Sequence, residues 1–146
     1  MRTFVSFSGD DEVAAIASGF LDRSLPKSQW THAAHFATTL WLMTHRADID
    51  LARELPGMIR AYNEATGGAN TDTSGYHETI TQASLRAARR FLDESPPRPL
   101  FATCNALMES ALGEPDWLLV YWSRERLFSL EALRAWVGPD LNEFPF

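Results

Sequence analysis

The stretch Ser28 to His45, SQWTHAAHFATTLWLMTH, carries no Lys, Arg, Asp or Glu, and its reading decides the fold. It approaches the length of a membrane span, yet Gln29, several Ser and Thr residues and three histidines are scattered through it. Wound as an α-helix at about 100° per residue, it places Trp30, Ala34, Ala37 and Trp41 on one apolar face. His32, His35, Thr39 and Met43 lie roughly opposite, and Phe36 and Leu40 fill most of the remainder. A helix apolar nearly all round belongs in the middle of a bundle. The pattern predicts a central buried helix from Ser28 to about His45, with His32 and His35 side by side on an inward face. His45, next to Arg46 and Asp48 at the far end, reads as a surface residue.

Around this helix, proline and glycine divide the chain. Asp10 or Asp11 caps a first helix to about Asp22, and Leu25-Pro26 ends it. The region Asp48 to Ala65 is interrupted by Pro56-Gly57, which predicts a short helix and then a second one starting at Pro56. A polar loop, Gly67 to Gly75, leads into a helix from Tyr76 to about Glu94. Ser95-Pro96-Pro97-Arg98-Pro99 is a rigid connector. A helix from Leu100 to Leu112 is stopped by Gly113. Two short ones follow, Trp117 to Trp122 and, capped by Ser129, Leu130 to Val137, with Trp122 to Arg126 as a charged turn between them. Thr3 to Phe7 is the one candidate strand. The expectation is an all-α, compact helical bundle of about six or seven helices, forming a single domain over residues 1–146.

Charge and composition narrow the function. The 146 residues carry a formal net charge of -6, and the basic clusters Arg86/Arg89/Arg90 and Arg124/Arg126 are too short to track phosphates. Nucleic acid is therefore set aside, as is a membrane partner. Cys104 is the one cysteine, so no intramolecular disulfide forms, which suits a reducing compartment. Lying between Phe101 and Leu107 with no basic neighbour, it reads as buried and inert. The N-terminus has no apolar segment ahead of Asp10, Asp11 and Glu12, so a secretory signal is not expected and a cytoplasmic location is.

The candidate site is a histidine cluster. His32 and His35 project from one helix, and His77 stands at the edge of the buried face of another, directly after the polar loop. Three imidazoles so arranged can chelate a divalent metal and leave a position open for water, and the ion expected is zinc, iron or manganese. Glu78 is a candidate fourth ligand, outer-shell partner or general base, although an acid in a first helical turn is favoured by the helix dipole in any case. Tyr76 joins Glu78 as a catalytic candidate. The loop Asn70 to Gly75 can line the pocket, Tyr62 and Asn63 can bond into it, and Arg124 can meet an anionic substrate.

The segments Trp30-Thr31-His32-Ala33-Ala34-His35 and Asn70 to Thr81, NTDTSGYHETIT, resemble signature stretches of a bacterial family of uncharacterised proteins, and the likeness extends to Trp122-Ser123-Arg124. That family has no established activity, so the resemblance implies no catalytic residue. In arrangement alone the cluster is similar to DinB-type helical bundles, which hold a metal with three histidines in a different order and spacing.

Together these features make a metal-dependent enzyme acting on a small molecule, a hydrolase or oxidoreductase, the leading expectation. The alternative is a metal-free small-metabolite binding protein whose histidines and Tyr76 hydrogen-bond the ligand. A third reading is an interaction module with structural histidines. The aromatic C-terminus, Phe144-Pro145-Phe146, can dock on its own core or on a neighbour's, which leaves a homodimer open.

Overall fold

In a computed structural model, which describes residues 6–146, the charge-free stretch becomes the middle of the molecule. Among the described residues seven α-helices run in the order α1 (Asp10–Leu21), α2 (His32–His45), α3 (Leu51–Ala65), α4 (Glu78–Glu94), α5 (Leu100–Glu109), α6 (Arg124–Leu127) and α7 (Leu130–Arg134). Three 3-10 turns, Lys27–Gln29, Ala111–Gly113 and Trp117–Val120, join them. There is no strand among the described residues, and most of the Thr3 to Phe7 candidate lies outside them. Of its described residues Ser6 is exposed, and Phe7 is buried and paired like a strand residue by one side chain. Asn105 accepts from its N–H at 2.8 Å and donates to its C=O at 3.0 Å.

The all-α bundle expected from the sequence is the fold observed. Helix α2 contributes to both hydrophobic clusters. Phe36, Ala37 and Leu40 pack with Leu107, Trp117, Trp122 and Leu127. Leu42 packs with Phe20, Leu55, Tyr62 and Leu85. Leu40, Leu42 and Leu107 are fully buried, each worth about 1.5–3 kcal/mol of transfer free energy. No helix among the described residues is long and apolar enough to cross a membrane.

Several boundaries differ from the expectation for identifiable reasons. Helix α2 begins at His32 rather than Ser28, because Thr31 is its cap: its side chain accepts from the Ala34 N–H at 3.2 Å. His32 and His35 thereby fall in the first turn. Asp10 does not cap α1, whose cap position is Gly9. Instead Asp10 reaches across to the open end of α5 and accepts from the Phe101 N–H at 2.8 Å. Helix α4 starts at Glu78, not Tyr76, and α5 stops at Glu109, short of Gly113. The segment expected as a charged turn holds α6, with the Ser123 hydroxyl accepting from the Arg126 N–H.

The largest departure is at Pro56. Helix α3 runs through it unbroken, although proline removes the N–H that would bond to the carbonyl four residues earlier. That carbonyl belongs to Ala52, and Gln82 of α4 donates its side-chain amide to it at 2.9 Å. A neighbouring helix supplies the donor that the proline lacks.

The C-terminal aromatics dock on their own core. Phe144 meets Trp122 at 5.0 Å and Tyr121 at 5.3 Å between ring centroids, and Phe146 meets Trp117 at 6.1 Å.

Candidate functional site

Helices α2 and α4 both begin at one cavity of about 690 Å³, and His32, His35 and His77 all line it. Its walls come from the turn at Lys27, from α2, α3 and α4, from the loop around Gly75, and from the segment Pro115 to Phe128. The three histidines share this lining, but their rings do different work.

His77 caps α4. Its Nδ1 accepts from the Ile80 N–H at 3.1 Å, and its Nε2–H donates to the Leu127 carbonyl at 2.7 Å. A carbonyl can only accept, so the two bonds together fix the tautomer and engage both nitrogens. His32 donates from Nε2 to the Leu112 carbonyl at 2.8 Å, which leaves Nδ1 with the lone pair. These two rings pin both ends of the segment Leu112 to Leu127 against α2 and α4. His35 differs. Its ring packs against Trp30, tilted by 31° with centroids 4.0 Å apart, and among the described residues neither of its nitrogens has a hydrogen-bond partner. The ring is open to water in the cavity yet surrounded by protein. Burial, with the nearby His32 adding to it, lowers its pKa to about 4. Burial also lowers the pKa of His77, against the opposing effect of its bond to Leu127.

The expected three-histidine metal set would require His77 to give up one of these two bonds. His77 has no lone pair to offer while it caps α4. Among the described residues no group of three or more His, Cys, Asp or Glu side chains is gathered as a metal ion requires. The two expected catalytic residues are bonded to each other: the Tyr76 hydroxyl donates to Glu78 at 2.5 Å. Tyr76 lines the cavity with its ring, but Glu78 is not among the lining residues. Burial, reinforced by Glu78, pushes the Tyr76 pKa up.

No family model matches the chain, and no match is found among curated proteins or solved structures. The meaning of the Asn70 to Thr81 stretch must come from its contacts, and these are largely architectural. The Asn70 carboxamide oxygen accepts from Asn63 at 3.1 Å and from the Tyr76 N–H at 3.1 Å, while its amide donates to the Arg60 carbonyl. Gly75 has φ +90°, and a Cβ there would lie 2.4 Å from the Ala69 carbonyl oxygen. Only glycine fits. Thr79 is buried, within 2.7 Å of the Ala132 carbonyl and 2.8 Å of that of Ala135, and it accepts from the Val137 N–H. The stretch ties α3, α4 and the C-terminal segment together around the cavity.

Of the remaining candidates, Arg124 and Asn63 line the cavity. Tyr62 lies in the core instead, its hydroxyl bonded to the Leu25 carbonyl at 2.7 Å. Cys104 is buried, and burial together with Asp10 pushes its thiol up to about 12. Sequence reasoning overlooked Lys27, Trp117 and Phe128, which also face the cavity. For Lys27 a signal existed: it is the one lysine in a chain with 13 lysines and arginines together, three residues before Trp30.

Proposed function

We propose that the chain binds a small organic molecule in this cavity without a metal, with His35 as the polar contact that orients it. The observation that carries the reading is that His35 faces this cavity with no hydrogen-bond partner among the described residues. The ring is exposed to water that a ligand can displace, and a cavity of about 690 Å³ lies within the range that takes small ligands. With a pKa of about 4, about one His35 ring in a thousand is protonated at neutral pH. It is then a weak base, suited to donating and accepting hydrogen bonds as a neutral ring rather than to moving protons. The walls Trp30, Phe36, Trp117 and Phe128 favour a flat apolar body.

The neutral fluorophore N-phenyl-1-naphthylamine tests this. One probe per chain is expected, with enhanced emission, and Ser84→Trp, which fills the cavity from α4, should abolish binding. His35→Leu should weaken it. Binding that survives Ser84→Trp in a folded protein would place the probe elsewhere and overturn the reading. So would a rise in melting temperature on adding zinc that is lost in His35→Leu, because it would restore the metal that the reading leaves out.

A further inference from the structure

We infer that the ligand of this cavity is a singly charged organic anion with a flat apolar body. The inference rests on the reading of the cavity as a ligand site and adds the charge of its occupant.

The chain as a whole is acidic, at -6, yet the charged groups lining the cavity are Lys27, Arg124 and one carboxylate, Asp116. With His35 neutral, the lining is positive on balance. Among the described residues neither Lys27 nor Arg124 has an ion-pair partner, a state they share with several other arginines of the chain, so both charges are available to a ligand. The two unpaired cations stand on different walls. Lys27 belongs to the turn before α2, and its ammonium lies 3.5 Å from where a Cβ on Gly68 would be. Arg124 opens α6 on the facing segment. Both α2 and α4 also present their N-terminal first turns here through His32, His35 and His77, and the partial positive charge of a helix start adds to the same field.

The number of cations sets the charge of the ligand. A doubly charged phosphate ester is usually held by several basic groups or by a run of backbone N–H groups in a glycine-rich turn. Here one lysine and one arginine are offset by Asp116, so a single oxyanion is matched and a second would be left exposed. The aromatic walls decide the body. Trp30 is held flat by Phe20 on one side, at 4.7 Å and 8° between planes. The His35 ring also lies against it, at 4.0 Å between centroids, and Phe36 and Trp117 add further apolar wall for the ligand's body.

The test uses two probes with the same ring system. 1-Anilinonaphthalene-8-sulfonate is N-phenyl-1-naphthylamine carrying one sulfonate. The sulfonate is expected to bind one per chain, more tightly than the neutral amine, and to weaken with added sodium chloride while the amine does not. The double variant Lys27→Gln/Arg124→Gln should weaken the sulfonate by about fivefold or more and change the neutral amine by less than about twofold. Equal affinity for the two probes, or equal weakening of both in a variant that melts like the parent, would overturn the inference. Failure of both probes to bind the folded parent would instead remove the cavity reading beneath it. A second measurement needs no variant. Lys27 is the one lysine, so acetylation of side-chain amines reports on it alone. The sulfonate should slow that reaction more than saturating neutral amine does, and equal protection would count against the anion.

Discussion

His35 and His77 are the same residue type facing one cavity, and the difference between them is a matter of hydrogen-bond supply. His77 accepts a helix N–H with one nitrogen and donates to a carbonyl with the other. His35 packs against a tryptophan and has no hydrogen-bond partner among the described residues. Both have folded-state pKa values below the ordinary 6.5, chiefly through burial. The consequence for stability has a definite sign. Above the unfolded value both states are neutral and pH has no leverage. Below it the unfolded chain takes up protons that the folded chain refuses, so stability falls with falling pH, for His35 until its folded value of about 4. Urea denaturation between about pH 7 and pH 5 should therefore show declining midpoints, and His35→Gln, which cannot titrate, should flatten the decline. An unchanged slope in that variant would show that the ring is protonated as easily folded as unfolded. Part of the cavity lining was legible. That His32, His35 and His77 would face a common space followed from a charge-free helix and from the edge of an amphipathic stripe, although His35 is exposed there rather than interior. The capping role of His77 was not legible, because cap preferences name Ser, Thr, Asp and Asn and its second partner, Leu127, lies fifty residues further on.

At the scale of elements, the same limit explains Pro56. A proline six residues into a helix reads as a break, because its own N–H and the carbonyl four residues back are both lost to the ladder. Whether the break occurs depends on what else can reach that carbonyl, and this is a tertiary fact. Gln82 reaches Ala52 from α4, so α3 continues and its apolar side, Leu51, Leu55 and Tyr62, stays in register with the core. The helical periodicity on either side of Pro56 was correct, and only the interruption was not. The pairing can be measured. Gln82→Ala should cost about 0.5–1 kcal/mol, a modest figure because water can replace the donor at the exposed Ala52. In a Pro56→Ala background, the new alanine can supply its own N–H to the Ala52 carbonyl, and the same Gln82→Ala change should cost measurably less. A double-mutant cycle by chemical denaturation reads the coupling directly. Equal costs in the two backgrounds would mean that the Gln82 contact contributes nothing to holding α3 through the proline.

For the whole molecule, the cavity depends on how the segment after α5 is held. This part of the chain contains only short helical pieces, none longer than five residues, so it has little stability of its own. It is fastened from outside: at Leu112 by His32, at Leu127 by His77, at Ala132, Ala135 and Val137 by Thr79, and at Arg134 by Asp72. The final fastening is aromatic. Phe144 and Phe146 pack on Trp117, Tyr121, Trp122 and Trp136, and Trp122 donates from its indole to the Val137 carbonyl at 3.0 Å. Arg90 of α4 donates to the Pro145 carbonyl and lies over the Phe146 ring. Trp117 is the shared member, because it lines the cavity on one side and receives the C-terminal rings on the other. Deleting Glu143 to Phe146 removes two half-buried phenylalanines, and the expected cost is about 2–4 kcal/mol from lost apolar burial. The loss should also be local. Amide exchange should accelerate first from Leu112 to Val137, with α1 and α2 retaining protection, and the naphthylamine probe should bind more weakly although no residue lining its cavity has been removed. A uniform rise in exchange across all helices would instead mean that the C-terminal rings hold the entire bundle in one cooperative unit. The cavity wall would then have no separate stability for a ligand to reinforce.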